Sequence, residues 1–115
     1  MTVNVKSALE VSDDEAAAVQ KTPNRVTLES MMERVMHAQY INPTHCPHMT
    51  IAVVTLDNGY TIIGQSAPAD PANFDVTLGI KFSTEDAIGK IWPLEGYLLA
   101  EKLYVAKSGE TFDTA

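Results

Sequence analysis

The chain has 115 residues, 45% hydrophobic and 20% charged, with fifteen Asp and Glu against eight Lys and Arg for a formal net charge of -7. That length and balance predict one globular domain with a single modest core, exclude a chain disordered throughout, and oppose unspecific nucleic-acid binding, which needs clustered cations. A lone cysteine, Cys46, excludes an intramolecular disulfide; no signal segment opens the chain and no apolar run approaches the ~20 residues that cross a bilayer, so a cytosolic protein without a membrane partner is expected.

Residues 1–26 are rich in acidic and small side chains and read as a flexible or weakly helical arm, separated from the rest of the chain by Thr22-Pro23-Asn24. Ser12 is placed to cap a short helix through Asp13, Asp14 and Glu15, because its hydroxyl and the carboxylates suit the exposed N–H groups of a helix start. Residues 27–107 form the expected domain. From Thr27, the spacing of Leu28, Met31, Met32, Val35, Met36 and Tyr40 predicts an amphipathic helix ending at Asn42-Pro43. Its methionines read as core contacts, the alternative being an adaptable binding groove.

The next segment, Met49 to Ala67, is rich in β-branched residues, and Asn58-Gly59 between its halves predicts a type I′ hairpin. With those two residues in the turn, Leu56 faces Thr61 and Val54 faces Ile63. Ile51, Val53 and Thr55 share one side, Ala52, Val54 and Leu56 the other, and both sides are largely apolar. The ribbon is therefore expected to be covered on each side, by helices or by a second copy of the chain.

Asp70 can cap a helix beginning at Pro71, where the missing proline N–H costs nothing. Phe74, Leu78 and Phe82 recur every four residues, and Ala87, Ile88 and Ile91 continue the apolar face, so one long helix or two short ones are expected, with Ser83 to Asp86 as a restart signal. Trp92-Pro93 marks the next boundary, and a final helix runs from about Pro93 to Tyr104. Residues 108–115 read as a flexible tail. The fold class is α+β: an N-terminal helix, a β-hairpin, then two C-terminal helices packed on it.

Chemistry is sparse. His45, Cys46 and His48 include metal-binding types, yet Pro43 and Pro47 mark a connecting loop, and with His37 the only other histidine, a four-ligand zinc set is lacking; no metal is expected. Gly79, Gly89 and Gly96 lie in helical stretches without a P-loop ending and read as places of close packing. Glu85, Asp86, Glu95 and Glu101 read as a solvated carboxylate face, not an acid and base pair. The best recognition group is aromatic: Phe74, Tyr60, Trp92 and Tyr97 as stacking surfaces, with Lys81 or Lys90 meeting an anionic group.

Thr55-Leu56, Asn58-Gly59-Tyr60, Gln65-Ser66-Ala67, Asp70-Pro71-Ala72-Asn73-Phe74-Asp75, Gly79 and the run from Lys90 to Leu99 together resemble the small phage protein family named after gene product forty-nine of phage N-four and gene product sixty-six of phage Sf-six. The resemblance spans roughly Met49 to Leu103 and leaves the N-terminal arm outside. Phe82 departs from it, a small residue being expected there, and its ring would alter helix packing or close a pocket. The family is one of uncharacterised function; resemblance to it implies a phage or prophage origin, a place in the host bacterial cytoplasm, and no catalytic residue.

These readings converge on a non-enzymatic accessory protein without a cofactor, assembled as a homo-oligomer. Its expected ligand is a nucleotide-derived host immune signal, held by Phe74, Lys90, Trp92 and Tyr97 in a cavity between subunits. The alternative is an acidic inhibitor that binds a host enzyme or defence protein.

Overall fold

Ser7 accepts a hydrogen bond from the Glu10 N–H and so starts α1 (Ala8–Ala18), the first element of a computed structural model that describes residues 7–108. The cap expected at Ser12 therefore falls inside a helix that begins earlier. Expectations for residues 1–6 and for 109–115 of the tail lie outside the described residues. Leu9 packs on the core, and Asp13 accepts hydrogen bonds from Arg25 Nη1 at 2.7 Å and from the Leu28 N–H at 3.0 Å. These bonds hold the Asp13 carboxyl below its usual range, the Arg25 guanidinium contributing most.

Thr27 caps α2 (Leu28–Glu33) through the Ser30 N–H. The helix then stops. Val35–Ile41 is a strand, β1, where a helix to Tyr40 was expected. The reason is tertiary: β2 (Thr50–Leu56) pairs with β3 (Thr61–Ser66) on one side only, and β1 fills its other edge antiparallel, with a bulge between Val35 and His37. The hairpin thus supplies the central strand and one edge strand of a three-stranded sheet ordered β1-β2-β3.

The turn also differs from expectation. Gly59 has φ of 87° and is the only residue among those described with a positive φ, whereas a type I′ turn needs positive φ at Asn58 as well. The Leu56 N–H donates to the Tyr60 carbonyl, so the loop is the three residues Asp57, Asn58 and Gly59, and Asn58 Oδ1 accepts the Tyr60 N–H. Val54 consequently pairs with Ile62 and Thr55 with Thr61.

The sheet has one covered side. Thr50, Ala52, Val54 and Leu56 are buried with Ile62 and Gly64 beneath α3 (Val76–Gly89), together with Met31, Ala87, Ile88 and Ile91. The other side, expected to be covered too, carries Ile51, Val53 and the exposed Ile41 and Ile63 without a helix on it. Ile88 apart, the α3 residues turned inward are small: Gly79, Ser83 and Ala87. A Cβ on Gly64 would collide with the Ser83 carbonyl and Ala87, and one on Gly79 with Thr50, so helix and sheet meet backbone to backbone. Leu78 and Phe82, expected on the core face, are displaced to the exposed side. At the β1 side, the Thr84 hydroxyl donates to the Ile80 carbonyl and accepts from the Tyr40 hydroxyl at 2.6 Å.

Asp70 caps only a single 3-10 turn, Pro71–Asn73; Asp75 caps α3 itself through the Leu78 N–H. That helix runs uninterrupted through Ser83 to Asp86. It ends at Lys90, and α4 (Ile91–Ser108) begins before Trp92-Pro93 instead of after it. Proline is tolerated because it occupies the first turn, where backbone N–H groups have no intrahelical acceptor. Among the described residues no helix is long and apolar enough to cross a membrane.

Candidate ligand clefts

Two clefts with aromatic walls lie at opposite ends of β3, separated by roughly 20 Å of strand at about 3.3 Å per residue. The first, about 270 Å³, is bounded by the hairpin tip and α4 through Arg34, Leu56, Tyr60, Leu94, Tyr97 and Leu98. Tyr97 is 69% exposed and Tyr60 55%, so both rings present surface for stacking. Arg34 bonds Asp57 at 2.9 Å and also Glu95. Those two carboxylates, Asp57 first, raise its already high pKa and leave one net negative charge at the cleft. An anion is therefore disfavoured there.

The second cleft, about 200 Å³, lies past the end of β3. Ser66, Asn73, Phe74, Leu78, Gly79 and Phe82 line it, positioned by the 3-10 turn on one side and the first two turns of α3 on the other. Gly79 lets the Phe74 ring approach: a Cβ there would lie 3.2 Å from Phe74 Cε1. The Lys81 ammonium sits 5.9 Å from the centroid of the Phe82 ring, within the range of a cation–π contact. Phe82, where a small residue was expected, is thus a cleft wall.

The four residues expected to bind a ligand are not gathered within one copy of the chain. Phe74 lines the second cleft and Tyr97 the first. Trp92 is half-buried against the core. Lys90 Nζ donates to the Ile63 carbonyl at 2.7 Å and lies 3.5 Å from Asp86, on the outer edge of β3. Sequence reasoning did not single out Arg34, Leu94 or Asn73. Asn73 lies within the Asp70 to Asp75 run, but the Arg34–Glu95 pair joins residues 61 positions apart and leaves no local signal.

A third, acidic cleft lies between α1 and α2, where Glu10, Asp13, Glu29 and Glu33 surround Leu28 and the exposed Met32. The loop carrying His45, Cys46 and His48 joins β1 to β2, and no group of three or more His, Cys, Asp or Glu among the described residues is placed to share a metal ion. Of the carboxylates considered for chemistry, Asp86 accepts the Gln65 N–H and Glu95 pairs with Arg34.

No curated protein and no solved structure matches the chain. The family model described as Phage protein (N4 Gp49/phage Sf6 gene 66) matches residues 10–103, taking in most of the N-terminal arm as well as the stretch from Met49 on. A match over that length, which takes in the hairpin, the Asp70 to Asp75 turn and the Lys90 to Leu99 run, identifies the chain as a member of this phage protein family, whose function is uncharacterised.

Proposed function

We propose that this is a small non-enzymatic phage accessory protein that assembles with copies of itself in the host cytoplasm and sequesters a nucleotide-derived host immune signal. The observation that carries the reading is the convergence of Phe74 and Phe82 on one cleft with the Lys81 ammonium beside Phe82. Two rings offer stacking surface to a base, Asn73 offers an amide to its edge, and the lysine meets a phosphate. Asp75 also lines this cleft, so the Lys81 ammonium at its border beside Phe82 is set against one carboxylate, whereas at the hairpin tip Arg34 is set against two, Asp57 and Glu95. At about 200 Å³ it is smaller than the usual ligand pocket of roughly 300–1,000 Å³, so it takes one ring system and leaves the rest of a nucleotide outside. Lys90, Trp92 and Tyr97 would join such a site only across a boundary between copies.

Native mass spectrometry of the protein purified from bacteria, before and after denaturation and after incubation with a nucleotide pool, tests this. A nucleotide released intact supports sequestration, and Phe74→Ala and Lys81→Glu should each reduce capture about tenfold, the equivalent of one lost stacking or charged contact. A chain that stays empty with the whole pool sinks the reading. The second reading, an acidic inhibitor of a host protein, is favoured by the cleft of Glu10, Glu29 and Glu33 around Met32. Its signature is a complex that dissociates steeply as salt rises.

A further inference from the structure

The last helix is longer than its support. Ile91 is buried and Trp92 packs on the core, and the main contacts of α4 are with α3 and α2, yet the helix continues to Ser108, about 27 Å at 1.5 Å per residue. Leu94, Tyr97, Leu98 and Tyr104 are exposed, and with Glu101 and Val105 they recur every three or four residues on a stripe that adjoins the Ile91 face and lies opposite Trp92. A helical end of this kind is marginal in water unless its apolar side is covered.

We propose that this stripe pairs two copies of the chain, α4 against α4 in antiparallel orientation. Area is sufficient. Tyr97 is 69% exposed, Tyr104 61%, Tyr60 55%, Leu98 43% and Leu94 42%. With about 150–250 Å² per aromatic side chain, these residues expose about 500 Å² a copy, or about 1,000 Å² for two, where specific interfaces begin.

Charge selects the orientation. Glu101 lies in the middle of the stripe and Lys102 on its border. With the two-fold axis between these positions, Glu101 of each copy meets Lys102 of the second copy, and Leu98 meets Val105 of the second copy, which makes the surface complementary to itself. A parallel pair would set Glu101 against Glu101. Antiparallel packing also opposes the two helix dipoles. In this arrangement the last turns of the second copy stand beside Tyr97 and wall the cleft at the hairpin tip.

The pairing rests on the self-assembly part of the proposed function and not on the ligand. Sedimentation of the full chain with no added nucleotide should give a dimer. Leu98→Glu should give a monomer of unchanged circular dichroism, because the residue it replaces is exposed. Glu101→Lys and Lys102→Glu should each weaken the dimer about tenfold, as two lost ion pairs of up to ~1 kcal/mol imply, and the two together should restore it. Ile63→Glu, on the uncovered side of the sheet, should leave the dimer intact. A monomeric wild type, a Leu98→Glu dimer, a double charge swap without restoration, or a dimer lost only with Ile63→Glu each overturns the proposal. A dimer that releases no nucleotide sinks the ligand reading and leaves this one standing.

Discussion

Lys90 Nζ donates to the Ile63 carbonyl at 2.7 Å, and one turn earlier Asp86 Oδ2 accepts the Gln65 N–H at 2.9 Å. Two outward backbone groups of β3 are thereby occupied by side chains from the end of α3, which blunts that edge of the sheet against pairing with another strand. Asp86→Ala should speed hydrogen exchange of the Gln65 amide selectively, with a stability loss of about 1 kcal/mol or less because both side chains are substantially exposed. An unchanged Gln65 exchange rate would show that the cap contributes nothing in solution.

Gly64 and Gly96 should respond in opposite directions to alanine. A methyl on Gly64 meets the Ser83 carbonyl and Ala87, so the backbone of α3 must move, and a loss of about 1–3 kcal/mol is expected. A methyl on Gly96 meets nothing within 4 Å, so its helix propensity should gain about 0.5–1 kcal/mol. Thermal unfolding of the two variants checks both signs.

Asp13 makes stability depend on acid. Its folded pKa is depressed, first by the Arg25 hydrogen bond and then by the Leu28 N–H, so its contribution is full above the unfolded value of about 3.9 and is lost as pH falls through the lower folded value. Asp13→Asn should cost about 1 kcal/mol at neutral pH. Denaturation curves for the two proteins should converge in acid. Equal curves at neutral pH would remove Asp13 as the tie between α1 and α2.

Tyr40 donates to Thr84, whose own proton is given to Ile80, so one hydroxyl links β1 to α3. Tyr40→Phe should destabilise by about 1 kcal/mol while keeping the ring in place. Urea unfolding measures it. Thr84→Val should cost a similar amount, and the double variant less than the sum, because the two changes break the same bond.

The C-terminal half of the fold is legible because its signals are local: the Asp70 turn, the apolar run into α4, and a hairpin about Asn58-Gly59 all lie within a few residues of their effect. The Leu28 to Tyr40 stretch is not. Its three-and-four spacing is genuine, but Met36, Ala38 and Tyr40 also alternate with the polar His37 and Gln39, and what decides is the vacant edge of β2, which no window of that sequence contains. Likewise, α3 buries Gly79, Ser83 and Ala87 in preference to Leu78 and Phe82, because small residues admit the close approach to Gly64 and the large ones do not. That choice is what leaves Phe82 free to line a cleft with Phe74. Of the expected ligand residues, Phe74 and Tyr97 could be recognised as available rings, but their separation to opposite ends of β3 depends on a path that composition does not encode.

The loop of Asp57, Asn58 and Gly59 sets the phase of everything after it. With three residues, Ile62 enters the core and Ile63 faces out; with two, the alternation along β3 would be inverted, and Gly64, where the α3 backbone closes on the strand, would turn away from it. The fit of helix to sheet is therefore governed by a count of residues at an exposed tip that touches neither Ser83 nor Ala87.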